Sequence, residues 1–508
     1  MRRICSVDVV RQAEARAGVA EPVLMARASA ALAAVCIDLL KGRGLRVPGA
    51  RVVALIGSGN NGGDALWALS ILARRGAGAT AIGDPGRMHP AGFAAARSAG
   101  ATVLPWDDPR CAALLGSADL VLDGILGIGG AGGLRGPAAG AAEVLRDARV
   151  PVVAVDVPSG VDPDTAEACG VTVRADVTVC FGVLKPAHVL APGRSFAGAV
   201  TVADIGLHDD DLEPAAWALS LSDLAGELPP AQAHKYTRGV VGVTAGSPDY
   251  PGAALLAVRG ARGSGAGMVA FTSGCPGPTT RGPDGRAAGG IDPVSAMVVS
   301  DSPDVVPSAS RAVDARCVGP GLGTASAARD LVLREMSDPA PMVLDASALA
   351  VLGRQDGRRA LADRADAGWV TVLTPHAGEF ARLGFDPSGG RLVAAGRAAR
   401  ESGAIIVFKG PGTVIAGPDS TFVDLFGDST LATAGTGDVL AGLMAGMLAE
   451  RARAHDLDAT RATLVAARAV GMHGLAGRLA AAGGHPVTAT DVVGHLGAAH
   501  AAAAAERT

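Results

Sequence analysis

Short apolar runs alternate with amphipathic segments twice along this chain, and that alternation limits the folds open to it. In the first half the runs are Arg51–Ile56, Ala79–Ile82, Leu120–Leu122, Val152–Val155 and Val177–Cys180. Segments of helical period, such as Ala65–Arg75, Ala91–Ala99 and Ala138–Asp147, separate them, and a helical stretch from roughly Ala13 to Leu40 comes first. Strands alternating with helices of this length pair in parallel and carry helices on both faces of the sheet. The pattern breaks between Asp204 and Pro230, where Asp209-Asp210-Asp211 and Pro229-Pro230 interrupt it. It resumes at Val240–Thr244, Met342–Leu344, Val370–Leu373, Ile405–Phe408 and Thr413–Ile415, with long helices from Asp438 onward. The expectation is two α/β domains, 1–215 and 225–508, with ligand loops at the carboxyl ends of the strands. A Gly/Pro-rich stretch, Gly274–Gly290, reads as a surface loop without a chemical signal.

Composition removes several classes of function. The net charge is −4 and no basic block occurs, which argues against a nucleic-acid partner. No apolar run of about 18 residues lacks a charge, so no membrane span is expected. The first residues contain Asp8, Arg11 and Glu14 and lack the apolar core of a signal peptide. Seven scattered cysteines without a Cys-x-x-Cys pair fit reduced thiols in the cytoplasm. Rare residues are more telling. Both asparagines of the chain are Asn60 and Asn61, and there are four lysines (Lys41, Lys185, Lys235, Lys409) against 41 arginines. A chain that uses arginine wherever it serves keeps lysine where a compact ammonium is needed.

Three strand-end clusters carry the chemistry of the first half. Gly57-Ser58-Gly59-Asn60-Asn61-Gly62-Gly63-Asp64 lies between a strand and a helix. Glycines there admit a ligand close to the backbone, and amides at a helix start favour an anion. The loop lacks the dinucleotide fingerprint, but its amide and carboxylate oxygens suit a hard cation and sugar hydroxyls. The others are Asp123-Gly124-Ile125-Leu126-Gly127-Ile128-Gly129, running on to Gly136, and Asp156-Val157-Pro158-Ser159-Gly160-Val161-Asp162. In this order they resemble the NAD(P)H-hydrate epimerase domain, over roughly 1–215. The resemblance implies a Rossmann-like three-layer αβα domain that interconverts the R and S epimers of hydrated NADH or NADPH. It implies a potassium ion on Asn61, Asp123 and Ser159. It also implies hydrate contacts from Asn60, Asn61, Gly62, Gly63 and Asp64, from Gly127, Ile128, Gly129, Gly130, Ala131, Gly132 and Gly133, and from Asp156. Asp156 is the candidate acid/base and Lys185 its partner. Ser58 and Ala65 depart from the Pro and Gly common in that family's loop.

The second half is marked by Leu431-Ala432-Thr433-Ala434-Gly435-Thr436-Gly437-Asp438, which opens a long apolar helix. Consecutive amides at a helix start form an anion hole for a transferring phosphoryl group, and an aspartate just inside can take a proton from the accepting hydroxyl. This arrangement resembles the ribokinase-like superfamily. With His234-Lys235-Tyr236, Tyr250-Pro251-Gly252-Ala253, Gly319-Pro320-Gly321-Leu322-Gly323, Leu344-Asp345-Ala346, Thr374-Pro375-His376-Ala377-Gly378-Glu379 and Lys409-Gly410-Pro411-Gly412-Thr413, the order is similar to the NAD(P)H-hydrate dehydratase domain. The whole chain thus resembles the bifunctional NAD(P)H-hydrate repair enzymes. That resemblance implies phosphorylation of the hydrate by ADP or ATP with Mg²⁺, then loss of phosphate, phosphate leaving far more readily than hydroxide. It implies Asp438 as the base and an anion hole of Gly435, Thr436 and Gly437. Lys409, Gly410, Pro411, Gly412, Thr413 and Gly437 would hold the adenine nucleotide, and Ala253, Gly321, Gly323, His376 and Asp438 the hydrate. A symmetric homo-oligomer is also implied. Ser347, where a second Asp is common, puts metal contact there in question, and Lys235 has no assigned role. The residues alone also fit a ribokinase-like kinase for a vitamin precursor or sugar, fused to a nucleotide-binding domain, or a nucleotide sensor without turnover.

Overall fold

The computed structural model describes residues 1–130, 132–208, 212–226, 232–274, 292–307 and 312–506. Ala131, the Asp209–Asp211 and Pro229-Pro230 runs and most of the Gly274–Gly290 stretch lie outside the described residues. The chain divides into two compact units, Arg2–Ala215 and Ala216–Thr508, the latter joined by Met1.

The first unit is built on seven strands in the order Thr102–Leu104, Gly78–Gly83, Arg51–Ile56, Leu120–Gly124, Val152–Val155, Val177–Phe181 and Ala199–Ala203. Every neighbouring pair is parallel. Alternate residues of the central strand enter different cores. Val52, Ala54 and Ile56 pack under the helices Glu21–Gly42 and Asn60–Arg74, while Val53 and Leu55 pack under Gly136–Asp147. Both faces are therefore covered, as an all-parallel sheet requires. The opening stretch is two helices, Val7–Arg16 and Glu21–Gly42. The second is long and apolar enough to cross a membrane by length and composition. Here Ala28, Leu32, Ala33, Cys36, Ile37 and Leu40 bury one of its faces in the core.

The strand order reverses between Arg51–Ile56 and Leu120–Gly124, which pair with Ile56 beside Gly124. One crossover leads left from the first strand and the next leads right, so the loops leaving the two strands diverge and open a crevice. Both loops carry the motifs found in the sequence. Their backbones touch: Gly57 N–H donates to Gly124 O at 3.0 Å, and a Cβ on Gly57 would lie 1.8 Å from the Ile125 carbonyl oxygen.

The second unit has a larger sheet. Its strands run Ala216–Ala218, Thr421–Val423, Val414–Ala416, Ile405–Phe408, Thr371–Leu373, Met342–Leu344, Ala315–Val318, Val240–Ala245, Met268–Ser273 and Val306–Pro307. From Ile405–Phe408 to Val306–Pro307 the pairs are parallel. The two tight connections after Phe408 and Ala416 leave no room for a crossover helix, so those pairs are antiparallel. The order reverses between Val240–Ala245 and Ala315–Val318, where Gly246 N–H donates to Pro320 O at 2.8 Å.

The helix Thr436–Arg453, which carries Asp438, lies against the helix Pro251–Gly263 through glycines on both sides. A Cβ on Gly442 would fall 1.9 Å from Ala257 O, and one on Gly260 2.2 Å from Val439 O. The helices could not approach so closely with side chains there. Gly442→Ala is therefore expected to cost roughly 1–3 kcal/mol of stability, measured as a lowered denaturant midpoint. An unchanged midpoint would mean that the contact is not tight.

Candidate active sites

The crevice of the first unit is a cavity of about 520 Å³. The loops supply Ser58–Asn61, Asp64, Ile125–Gly130, Asp156 and Phe181, and the opening helices supply Arg11, Glu14, Glu21 and Met25. Asp156 ends the Val152–Val155 strand with φ 61°, a left-handed backbone that costs an aspartate about 1 kcal/mol or more. Its surroundings hold it there. Its N–H donates to Val179 O at 2.9 Å, and Oδ1 accepts from Phe181 N–H at 3.0 Å and Lys185 Nζ at 2.7 Å. Lys185 is 0% exposed and also donates to Phe181 O at 2.9 Å. Burial lowers the Lys185 ammonium, but the Asp156 charge and hydrogen bond, joined by Cys180 and Glu14, together outweigh it and the pKa lies above the ordinary lysine value. His188 locks the turn. Its Nδ1 accepts from Lys185 N–H at 3.0 Å, so the proton of the neutral ring sits on Nε2 and is donated to Asp156 O at 2.7 Å. Burial and then the Lys185 charge push His188 down to about 4, which keeps that tautomer neutral.

Beside this pair is an oxygen-rich cluster. Asp123 is 0% exposed; Ser159 donates to it from N–H at 2.8 Å and from Oγ at 2.6 Å. Leu126 O accepts from Asn61 Nδ2 at 3.0 Å and faces Ser159 Oγ at 3.3 Å. Burial pushes the Asp123 carboxyl up to about 6, with the Ser159 bonds opposing, and no cationic side chain contributes.

In the second unit Gly435 has φ 90° and starts the Thr436–Arg453 helix. Thr436 Oγ1 ties the turn back to Leu431 O at 2.9 Å and Thr433 O at 3.0 Å. Lys409 Nζ lies 3.4 Å from the position a Gly437 Cβ would take, so an ammonium stands at the helix start. It donates to Asp345 Oδ1 at 2.7 Å and lies 3.9 Å from Glu379 Oε2. Thr374 Oγ1 donates to the same Asp345 oxygen at 2.6 Å. Among the described residues Asp438 has no such clamp; burial, then the Asp345 charge, pushes it up to about 7, with Lys409 opposing. Ala253 and Gly321 meet at the strand-order reversal, where a Cβ on Gly321 would lie 2.6 Å from that of Ala253.

A family described as NAD(P)H-hydrate dehydratase matches residues 241–496, and one described as YjeF-related protein N-terminus matches residues 21–187. A bifunctional NAD(P)H-hydrate repair enzyme of Mycobacterium leprae is 39% identical, over 99% of this chain and 100% of its own length. The chain belongs to the family of bifunctional NAD(P)H-hydrate repair enzymes. The Mycobacterium tuberculosis member is also 39% identical, over 88% of this chain and 89% of its own length. An ADP/ATP-dependent NAD(P)H-hydrate dehydratase from Bacillus subtilis, co-crystallized with ATP/Mg²⁺, is 25% identical over 56% of this chain and 97% of its own, at a TM-score of 0.43. Within the family's architecture the first unit is Rossmann-like and the second ribokinase-like.

The structure sorts the residues named from sequence. Asn60, Asn61, Asp64, Gly127, Ile128, Gly129, Gly130 and Asp156 line the first cavity. Gly62 and Gly63 instead pack into the helix start, where a Cβ would meet Gly57 O at 2.2 Å or the His89 ring at 3.0 Å. Gly133 packs on Cys169, with 1.7 Å left for a Cβ, and Gly132 is not among the cavity residues. Lys185 stands behind Asp156, outside the cavity lining. His376 caps a helix: its Nδ1 accepts from Gly378 N–H at 3.0 Å and Glu379 N–H at 3.3 Å. Ser347 Oγ accepts from Gly323 N–H at 3.0 Å and so ties two loops together. Lys235 is exposed beside Gly267, at the amino end of the Met268–Ser273 strand and so at the end of the sheet opposite the ligand loops.

Sequence reasoning missed Glu14, Glu21 and Arg11, which lie outside the strand-end motifs, and His188, which had no partner in sequence. It also missed Arg391, whose guanidinium sits 4.4 Å over the Phe408 ring beside the Gly410 loop. Asp345 and Glu379 stood inside motifs but without a role.

Replacing Lys185 by Met leaves Asp156 buried and unpaired. The expected cost is about 3–5 kcal/mol, read from denaturant unfolding, with a good part recovered in the Lys185→Met/Asp156→Asn double variant. Equal midpoints for wild type and the single variant would contradict the pairing.

Proposed function

We propose that the two units act in turn on one damaged nucleotide, the first at Asp156 and the second at Asp438. As a family member the chain repairs hydrated NADH and NADPH by epimerisation and ADP-dependent dehydration. The observation that carries the assignment of residues is the second site: an unclamped carboxylate, a helix start and a lysine ammonium face one point. There the amides of Gly435, Thr436 and Gly437 and the Lys409 ammonium stabilise a phosphoryl group in transfer. Asp438 takes the proton of the C6 hydroxyl as that oxygen attacks. Phosphate then leaves C6, and loss of a proton from C5 restores the dihydropyridine. The Gly410–Thr413 loop holds the adenine nucleotide, and Ala253, Gly321, Gly323 and His376 flank the hydrate.

Magnesium fits as a companion of the nucleotide phosphates. No group of three or more His, Cys, Asp or Glu that could hold a metal gathers among the described residues, and Asp345 Oδ2 is the carboxylate oxygen left toward Gly437. When bound, the ion would neutralise the charge that builds on the phosphates. In the first unit a potassium ion fits Asn61, Asp123, Ser159 and the Leu126 carbonyl, because the buried Asp123 carboxylate has no cation of its own. It would neutralise Asp123 and tie the loop of Asn61 to that of Leu126. Asn60, Asp64 and Gly127–Gly130 then face the nucleotide. A homo-oligomer and a cytoplasmic setting belong to the same reading.

The test is to incubate the chain with mixed R and S NADH hydrate and ADP and follow the return of NADH. Recovery of both epimers is expected. Asp438→Asn should abolish dehydration while R and S still interconvert. A stable phosphorylated product without NADH would favour the kinase reading. Because Asp438 works ionised, kcat/KM for dehydration should rise with pH through about 7 and then level; a flat profile from pH 6 to 8 would remove it as the base. Potassium at 100-fold its Kd should stabilise the first unit by about 2.7 kcal/mol relative to a bulky organic cation, seen as a raised thermal midpoint at pH 7.5. Asp123→Asn should lose that response.

A further inference from the structure

Two aspartates line the first cavity, and the fold treats them in opposite ways. Asp156 is clamped by Lys185 Nζ at 2.7 Å and Phe181 N–H at 3.0 Å. Asp64 is 8% exposed, has no cationic partner among the described residues, and has Ser29 Oγ at 3.5 Å as its side-chain contact. Leu24, Met25 and Ala28 add apolar surface to the same cavity. One carboxylate is thus held against an ammonium and the other is placed where charge is costly.

We propose that Asp64 is the second acid–base group of the epimerase site, giving a proton to the C6 hydroxyl of the hydrate while ionised Asp156 faces the cation that develops. This rests on the epimerase reading of the first unit. The step balances without any oxidant. Asp64 protonates the C6 oxygen, the C6–O bond breaks and water leaves, and the N1 lone pair closes an iminium at C6. Water adds to the opposite face, its proton passes to Asp156, and N1 recovers its lone pair. The return reaction uses the two groups in exchanged roles, so the pair works with one proton between them.

The surroundings put that proton on Asp64 in the resting enzyme. Burial, then the Asp156 charge, pushes Asp64 up to about 8, with Glu14 and Glu21 adding to the rise and the Ser29 bond opposing it. The groups that face it are Glu14 and Arg11 from the Val7–Arg16 helix, Glu21 and Ser29 from the next helix, and Asp156 from its strand end. Lys185 stands behind Asp156.

The test follows a single purified epimer of NADH hydrate with the full-length chain in H₂¹⁸O, corrected for the spontaneous rate. Wild type should produce the other epimer with one ¹⁸O at C6 per conversion. Asp64→Asn should lower kcat for epimerisation at least about 100-fold, with KM for the hydrate changed only a few-fold and an unchanged thermal midpoint. Asp64→Glu should keep part of the rate and move the alkaline limb of the kcat/KM profile. The proposal is overturned by a kcat near wild type in Asp64→Asn, by a loss confined to KM, or by epimerisation without ¹⁸O. Should Asp64→Asn not fold, an unmoved alkaline limb in Asp64→Glu overturns it equally. A wild-type chain that gives no acceleration overturns the epimerase reading itself, and this proposal with it.

Discussion

Each unit depends on the place where its sheet reverses strand order. Two parallel strands run side by side and then send their chains in opposite directions, so a crevice opens beyond their carboxyl ends. The crevice has walls only because backbone can approach backbone there. In the first unit Gly57 sits against the Ile125 carbonyl, where any Cβ would stand 1.8 Å away. In the second, a Cβ on Gly321 would stand 2.8 Å from Tyr250 O, and its φ of 64° is one that glycine adopts freely. These contacts fix the loops, and the loops carry the carboxylates.

The two sites, on unrelated sheets, share an electrostatic arrangement. A lysine ammonium clamps one aspartate at 2.7 Å in each: Lys185 on Asp156 and Lys409 on Asp345. A second aspartate, Asp64 or Asp438, is left without a clamp, and burial raises its pKa. Removing two charges from water is expensive, so a buried pair is poor evidence of added stability. Its consequence here is directional. The charge of the clamped carboxylate helps keep a proton on the other, which separates acid from base within one site. Lysine suits the task because its point charge fits behind a single oxygen, where a planar guanidinium would need a wider cleft.

Much of this was legible in the sequence, for a physical reason. Period and turn chemistry are local properties, so the strands, the two-domain division and the glycine loops could be read without coordinates. Rare residues were also informative: Asn61 meets Ser159 around Leu126 O, and Lys185 and Lys409 both reach carboxylates. Short strands such as Thr102–Leu104 and Ala216–Ala218 escaped notice because three residues carry too little period. Of the glycines named as ligand contacts, Gly62, Gly63 and Gly133 are also places where neighbouring protein leaves no room for a Cβ. A glycine that admits a ligand and one that admits a backbone look alike in sequence.

By itself, then, the sequence determined that this is a two-domain α/β chain whose strand-end motifs match an epimerase followed by a dehydratase. Only the tertiary structure decided how the charges within each site divide their work. Lys185 lies behind Asp156 and not beside the ligand; Glu14 and Glu21 come from a distant part of the chain to face Asp64. A pKa is set by what surrounds a group in space: solvent, charges and donors brought from several elements. Residues far apart in the chain come to such different surroundings only once the fold has buried one and paired the other.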